Sequence, residues 1–270
     1  MKNKITYNIR LVTILLGVVI FGGCEGYFDY SPYEANVDNS FKNTHQENMQ
    51  NLMETDTTQK EEINFAIIAD SHYNFHELDE AIVNMNNREI DFVIVNGDIA
   101  DHGYLKEYEL FHENMEKLNA PYVTVIGNHD YRSNGGDIYK DMFGDYNKSF
   151  VYNNNLFILF DDVFWESNKN PHFDWLEGEL EKSSTYDHVF VICHIPPYGS
   201  QFTDDYEERY KKLMLDYHVD LSIHGHIHKN KYGDYYGDGM TYLAVETIIK
   251  KGYSIVTVND NIIEVDNINY

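Results

Sequence analysis

The fold is decided by the stretch Tyr122-Val123-Thr124-Val125-Ile126-Gly127-Asn128-His129-Asp130. The first five residues are aromatic, apolar or β-branched, which predicts a buried strand. The glycine allows a sharp turn, and an amide, an imidazole and a carboxylate follow it. Because ligands of open α/β sheets bind where strands end, we expect other polar side chains to meet this group there.

Four further motifs occur along the chain, each at or just after the end of an apolar run. They are Asp70-Ser71-His72, Gly97-Asp98, His194 and Gly225-His226-Ile227-His228. One such motif has a simpler explanation, since Asp and Asn cap helices and form turns. Five motifs, each offering Asp, Asn or His, favour metal ligation instead. Their donor atoms suit divalent ions such as Mn²⁺, Fe²⁺ or Zn²⁺.

The hydrophobic pattern around the motifs predicts an α/β protein. Helical spacing is found at 77–88, 105–118, 173–182 and 204–217. Strands are predicted at 63–69, 92–95, 122–126, 189–193, 221–223, 241–245, 253–258 and 262–265, with a hairpin at 149–160.

The order of the motifs resembles the calcineurin-like metallophosphoesterase superfamily over residues 63–260. The resemblance implies a four-layer α/β/β/α sandwich, with two mixed sheets flanked by helices. It also implies two divalent metal ions, Mn, Fe or Zn. The implied ligands are Asp70, His72 and His228 for one ion, Asn128, His194 and His226 for the other, and Asp98 as the bridge between them.

The resemblance implies hydrolysis of a phosphoester, either a phosphomonoester or a phosphodiester. A hydroxide that bridges the two ions would attack phosphorus. His129 would protonate the leaving oxygen, since an imidazole titrates near neutral pH. A carboxylate is expected to orient His129, with Asp101 as the first candidate and Asp130 as the alternative.

At two positions the sequence differs from related families, and these differences narrow the expected substrates and the expected type of metal site. Phosphoprotein phosphatases carry a phosphate-binding Arg in the run that here reads Gly97-Asp98-Ile99-Ala100-Asp101-His102-Gly103, and His102 replaces it. Loss of a bidentate guanidinium weakens a protein-phosphatase assignment and favours small phosphodiesters or nucleotides. Purple acid phosphatases place a ferric-ion-binding Tyr where Asp101 stands, which argues against a ferric-tyrosinate site.

The N-terminal segment predicts export and attachment to a bacterial membrane. Basic residues precede an apolar run at 11–21 that is too short to span a bilayer comfortably, and Gly22-Gly23 precede Cys24. We expect residues 1–23 to be a lipoprotein signal peptide and lipidated Cys24 to anchor the protein, with the outer membrane as the expected site. An ordinary signal peptide or an uncleaved anchor is the alternative.

Polar composition without a clear period predicts a tether or irregular arm at 24–61, followed by the phosphoesterase domain at 62–270. The formal net charge of -25 should repel nucleic acid, so a small phosphoester is the expected partner. Two other functions stay open on the same scaffold: a surface binding protein without turnover, and a protein or lipid phosphatase at the membrane.

Overall fold

Residues 31–56, 59–259 and 262–270 are described by the computed structural model, and they form six α-helices and eleven strands. The helices α1 to α6 span Thr44–Thr55, Phe75–Met85, Leu105–Met115, Gly135–Phe143, Phe173–Leu180 and Asp204–Asp216. The strands β1 to β11 span Glu62–Ile68, Phe92–Asn96, Tyr122–Val125, Lys148–Tyr152, Asn155–Leu159, Val189–Ile192, Leu221–His224, Lys231–Gly233, Tyr242–Ala244, Gly252–Asn259 and Ile262–Asn269.

The strands form two mixed sheets. The first has the order β11-β10-β1-β2-β3, and the second has the order β4-β5-β6-β7-β9-β8. Strands β1, β2 and β3 run parallel, as do β5, β6, β7 and β9, while β10, β11, β4 and β8 pair antiparallel with their neighbours.

Successive side chains of the central strands point to opposite faces of each sheet, and this alternation produces the layers of the fold. In β1, Phe65 and Ile67 face the core between the sheets, whereas Ala66 and Ile68 face the helices α2, α3 and α4. In β6, Phe190 shares the core between the sheets, and alternate residues face α5 and α6. This period of two follows from strand geometry. The predicted four-layer fold with two mixed sheets flanked by helices is confirmed.

Residues 44–55 differ from the predicted irregular arm because they form helix α1. Leu52 is buried among the residues between the two sheets, and Met49 packs against the same cluster. Asn48 also accepts a hydrogen bond from the backbone N–H of Tyr122 at 2.9 Å, which ties α1 to the start of β3. Residues 35–270 form one compact unit, which includes this helix.

The predicted signal peptide and the lipidation at Cys24 lie outside the described residues. Across the residues that are described, no helix combines the length and hydropathy needed to cross a bilayer. Cys193 is a free cysteine and is buried in the core.

Candidate metal centre

The five motifs lie at the carboxyl ends of parallel strands from both sheets. Asp70, Asp98 and Asn128 follow β1, β2 and β3 in the first sheet, while His194 and His226 follow β6 and β7 in the second. Direct backbone bonds connect neighbouring strand ends: the N–H of Asp70 donates to Gly97 O at 3.1 Å, and the N–H of His72 donates to Asp98 O at 2.8 Å.

Five of the predicted metal ligands have left-handed backbones. Their φ angles are 54° at Asp70, 47° at His72, 53° at Asp98, 65° at His226 and 51° at His228. A residue with a Cβ loses roughly 1–2 kcal/mol in this conformation. Strain of this kind collects where function requires it, and here it turns the ligand side chains toward one another.

Two glycines let the strand ends approach closely. A Cβ at Gly127 would lie 2.2 Å from the backbone nitrogen of Asp98, and a Cβ at Gly97 would lie 2.3 Å from Nδ1 of His194. Atoms cannot approach this closely without a shift of the backbone. Glycine is therefore required at both positions if β2, β3 and β6 are to converge.

The first ligand group contains Asp70, His72 and His228, as predicted for one ion. Their ligand atoms all lie within 4.8 Å of one another. Nε2 of His228 is 3.2 Å from Asp70 Oδ1. Asp70 is fully buried, and its backbone carbonyl accepts a hydrogen bond from Thr247 Oγ1 at 2.9 Å. The carboxylate itself accepts the backbone N–H of His226, at 3.2 Å to Oδ1 and 3.1 Å to Oδ2, which holds it beside the imidazoles.

The second ligand group contains Asp98, His194 and His226, whose ligand atoms also lie within 4.8 Å of one another. Nε2 of His194 is 3.3 Å from Asp98 Oδ2. Asn128 joins them, because its Oδ1 is 3.0 Å from Nδ1 of His226. The structure therefore brings together all four residues predicted for the second ion and the bridge.

Asp98 lies between the two groups. Its Oδ2 is 3.3 Å from His194 Nε2 in the second group and 4.0 Å from His72 Nε2 in the first. A carboxylate has two oxygens and can serve two cations at once. This position is the one expected of a bridging ligand.

The donor atoms fit a pair of metal ions. Nε2 of His194 is buried and lies near two carboxylates without the alignment of a hydrogen bond. Its Nδ1, by contrast, donates to Asn96 O at 2.8 Å, which fixes the ring and directs Nε2 at the carboxylates. Metal-bound histidines in proteins are usually held in this way through their other nitrogen.

Buried charge explains the titration of this cluster. Burial alone would disfavour an imidazolium at His194, but Asp98 and Asp70 outweigh that cost and raise the pKa of His194 to about 10. Burial and the charge of His194 lower the pKa of His226 to about 4. A positive charge is thus favoured at His194 beside the carboxylates of Asp98 and Asp70, where a bound cation would be favoured for the same reason.

His129 lies beside both groups and contacts Asp101. Its Nδ1 is 3.0 Å from Asp101 Oδ1 and 3.0 Å from Asp101 O. Its backbone N–H donates to Asp98 Oδ1 at 2.9 Å. Of the two carboxylates predicted to orient His129, Asp101 has the required contact.

Asp130 has a different role. Its carboxylate is buried and accepts hydrogen bonds from the backbone N–H groups of Gly127 and Ala100 and from the hydroxyl of Tyr108. Burial and the charge of Asp98 raise the pKa of Asp130 to about 7. Asp130 therefore ties the loop after β2 to the loop after β3, rather than orienting the imidazole.

The structure also reveals site residues that the sequence analysis missed. Glu166, in the loop after β5, accepts a hydrogen bond from Asn128 Nδ2 at 3.0 Å. This bond decides which atom of the Asn128 amide faces His226. Lys250 donates to the backbone carbonyl of His228. Neither residue belongs to a motif, so only the folded structure connects it with the centre.

The fold and the paired ligand groups define a metal-dependent phosphoesterase. The sequence profile of the calcineurin-like phosphoesterases matches residues 63–230, more than half of the chain. The chain therefore belongs to the calcineurin-like phosphoesterase family, which is dimetal-dependent.

Two relatives and one solved structure illustrate the similarity. A "Probable cyclic nucleotide phosphodiesterase" from Xenorhabdus bovienii is 27% identical over 172 residues, covering 57% of this chain and 68% of the relative. A "Probable glycerophosphodiester phosphodiesterase" from Arcobacter nitrofigilis is 30% identical over 172 residues, covering 55% of this chain and 61% of the relative. A dimetal phosphatase from Danio rerio shares the fold, with a TM-score of 0.60 at 13% identity, over 77% of this chain and 99% of that one.

Proposed function

We propose that this protein hydrolyses small phosphodiesters at a dinuclear metal site, with His129 as the general acid. The observation that carries the proposal is the placement of His129. Its ring is held by Asp101, and its backbone is bonded to Asp98, the residue between the two ligand groups. An imidazole is therefore fixed beside the position where a phosphoester would bind.

The hydrogen bond to Asp101 defines the proton transfer. Nδ1 of His129 donates to the Asp101 carboxylate, so the transferable proton sits on Nε2. The carboxylate of Asp101 fixes the orientation of the ring before transfer. After transfer, the same bond retains the tautomer in which Nε2 can accept a proton again. When bound, two divalent ions would neutralise phosphate charge and lower the pKa of a water molecule.

Two observations support a diester as the substrate. The position where phosphoprotein phosphatases carry Arg is His102 in this chain, so the fork that would bind a phosphate dianion is absent there. Both relatives described above are named as phosphodiesterases. A phosphomonoester is the second candidate at the same site.

The test compares a diester with a monoester. The purified protein is stripped with a chelator, reloaded with Mn²⁺ and assayed with bis(4-nitrophenyl) phosphate and with 4-nitrophenyl phosphate. We expect a higher kcat/KM for the diester and loss of both activities in Asp98→Asn. Preference for the monoester would contradict the diester assignment. Absence of turnover with Mn²⁺, Fe²⁺ and Zn²⁺ would contradict the proposed activity and favour a binding protein.

We also propose that the protein is anchored in the cell envelope through lipid on Cys24. The support is the sequence alone: a basic start, a short apolar run and small residues before the cysteine. Cells fed a clickable fatty acid should label the wild-type protein and not Cys24→Ser. Equal labelling of both, or labelling of neither, would contradict the anchor.

A further inference from the structure

An unusual cluster surrounds the carboxylate of Asp101. Oδ1 is 3.0 Å from Nδ1 of His129 and 3.5 Å from Nδ1 of His72, while Oδ2 is 3.5 Å from Nδ1 of His102. Nη1 of Arg132 is 3.9 Å from Oδ1. One carboxylate thus faces three imidazoles and a guanidinium.

The guanidinium of Arg132 makes few hydrogen bonds within this cluster. Its Nη1 donates to the backbone carbonyl of Asp101 at 3.0 Å, and this is the one hydrogen bond of its guanidinium within the described residues. The side chain is 41% exposed. A guanidinium has five N–H donors, so most of them remain available to a ligand.

The surrounding loop is held in place. Glu107, at the start of α3, accepts hydrogen bonds from the backbone N–H groups of His102 at 3.1 Å and Tyr104 at 2.9 Å. Arg132 directly follows the short helical turn His129–Tyr131. The backbone of Arg132 therefore lies close to the general acid along the chain. Its guanidinium is hydrogen-bonded to Asp101, which belongs to the loop that Glu107 holds.

Arg132 and the general acid flank the same carboxylate. Oδ1 of Asp101 is 3.9 Å from Nη1 of Arg132 and 3.0 Å from Nδ1 of His129. Because His129 would protonate the leaving oxygen, groups attached to that oxygen would lie near His129 and Asp101. Arg132 is a partly exposed cation next to them, and the exposed His102 contacts the other oxygen of Asp101.

We propose that Arg132 binds an anionic substituent on the leaving group, so that the enzyme favours diesters whose leaving alcohol carries a carboxylate or a second phosphate. This inference rests on the proposed phosphodiesterase activity. A guanidinium is suited to the task because it binds either anion through two parallel hydrogen bonds.

Two diesters that differ only in leaving-group charge test the inference. The nitrophenyl group of methyl 4-nitrophenyl phosphate carries no charged substituent, and its analogue carries a carboxylate meta to the phosphate oxygen. We expect the wild type to favour the charged ester by about fivefold in kcat/KM, as a partly exposed ion pair allows. Arg132→Gln should abolish that preference by raising KM for the charged ester.

Arg209→Gln is the matched control, because Arg209 is 44% exposed and pairs with Asp174 away from the cluster. It should keep the wild-type preference. If Arg132→Gln lowers kcat equally on both esters, Arg132 only positions Asp101 and the inference is wrong. A wild type with no preference also overturns it. Hydrolysis of neither ester by the wild type would overturn the proposed function itself.

Discussion

Asn128, His129 and Asp130 are adjacent in sequence and have three different surroundings. The Oδ1 of Asn128 faces His226, and the ring of His129 is hydrogen-bonded to Asp101. The carboxylate of Asp130 is buried and accepts hydrogen bonds from backbone N–H groups. The short helical turn at His129–Tyr131 separates the directions of these side chains. Three roles can therefore come from one motif.

The loss of activity on removal of the general acid should depend on the leaving group. In His129→Ala, hydrolysis of an alkyl diester should fall by about 10²–10⁴-fold, because an alkoxide needs a proton to leave. A nitrophenyl diester should lose much less, since nitrophenolate leaves without one. Steady-state kcat for the two esters measures the difference, with metal content as the control. Equal losses would show that His129 is not the acid.

Glu166 should affect metal binding through Asn128. Glu166→Ala removes the acceptor of the Asn128 amide and should weaken Mn²⁺ binding by about 10–100-fold, as is typical for partners of ligands. Glu166→Gln keeps an acceptor oxygen and should bind nearly as the wild type does. Calorimetric titration of both variants distinguishes the hydrogen bond from the charge. Equal weakening in both would mean that the charge of Glu166 matters instead.

Metal should displace a proton from His194. The pKa of His194 in the metal-free fold is raised from 6.5 to about 10, so its contribution to stability is full below pH 6.5 and is lost as the pH rises through about 10. At pH 8 the ring is protonated, and ligation requires its neutral form. Titration with Mn²⁺ in buffers of different ionisation enthalpy should reveal release of about one proton. Release of none would contradict this assignment.

The five motifs could be found in the sequence because each follows a strand whose apolar pattern is clear, and the ligand roles came from the family resemblance. The same resemblance placed Asp101 before Asp130 as the carboxylate that orients His129, and the contact itself could not be derived from the sequence. Burial separates them: Asp130 is fully buried, while Asp101 has a partly exposed carboxylate. Glu166 and Arg132 were not predicted because their roles depend on contacts between loops.

At the scale of elements, two helices were not predicted, each for a different reason. Helix α1 is polar, and only Met49 and Leu52 reach the core between the sheets, so its apolar stripe is too narrow to give a clear period. Helix α4 begins with Gly135 and Gly136, which have low helix propensity. Its buried residues Ile138 and Met142, four apart, carry the signal that could have identified it.

Helix α1 should contribute to the stability of the folded unit. Leu52 is 1% exposed, and Leu52→Ala should lower the free energy of unfolding by about 2–5 kcal/mol through loss of buried area and a residual cavity. The neighbouring Met53 is 60% exposed, so Met53→Ala should stay within about 0.5 kcal/mol of the wild type. Urea unfolding measures both. Equal effects would mean that α1 does not pack as described.

At the scale of the whole molecule, the centre requires both sheets. One sheet supplies Asp70, Asp98 and Asn128, the other supplies His194 and His226, and the two are held together by the apolar core between them. The strongly acidic chain, with a formal net charge of -25, thereby concentrates imidazoles and carboxylates at one pair of adjoining edges. Bound cations would make this edge attractive to a phosphoester.

The most direct test of this account is a titration of the metal-free protein with Mn²⁺, in which bound metal and turnover of bis(4-nitrophenyl) phosphate are followed together. We predict two ions bound per chain, full turnover only after the second, and loss of turnover with weakened binding of both ions in Asp98→Asn. A single bound ion with full turnover, or an Asp98→Asn variant that binds and hydrolyses like the wild type, would contradict the dinuclear centre.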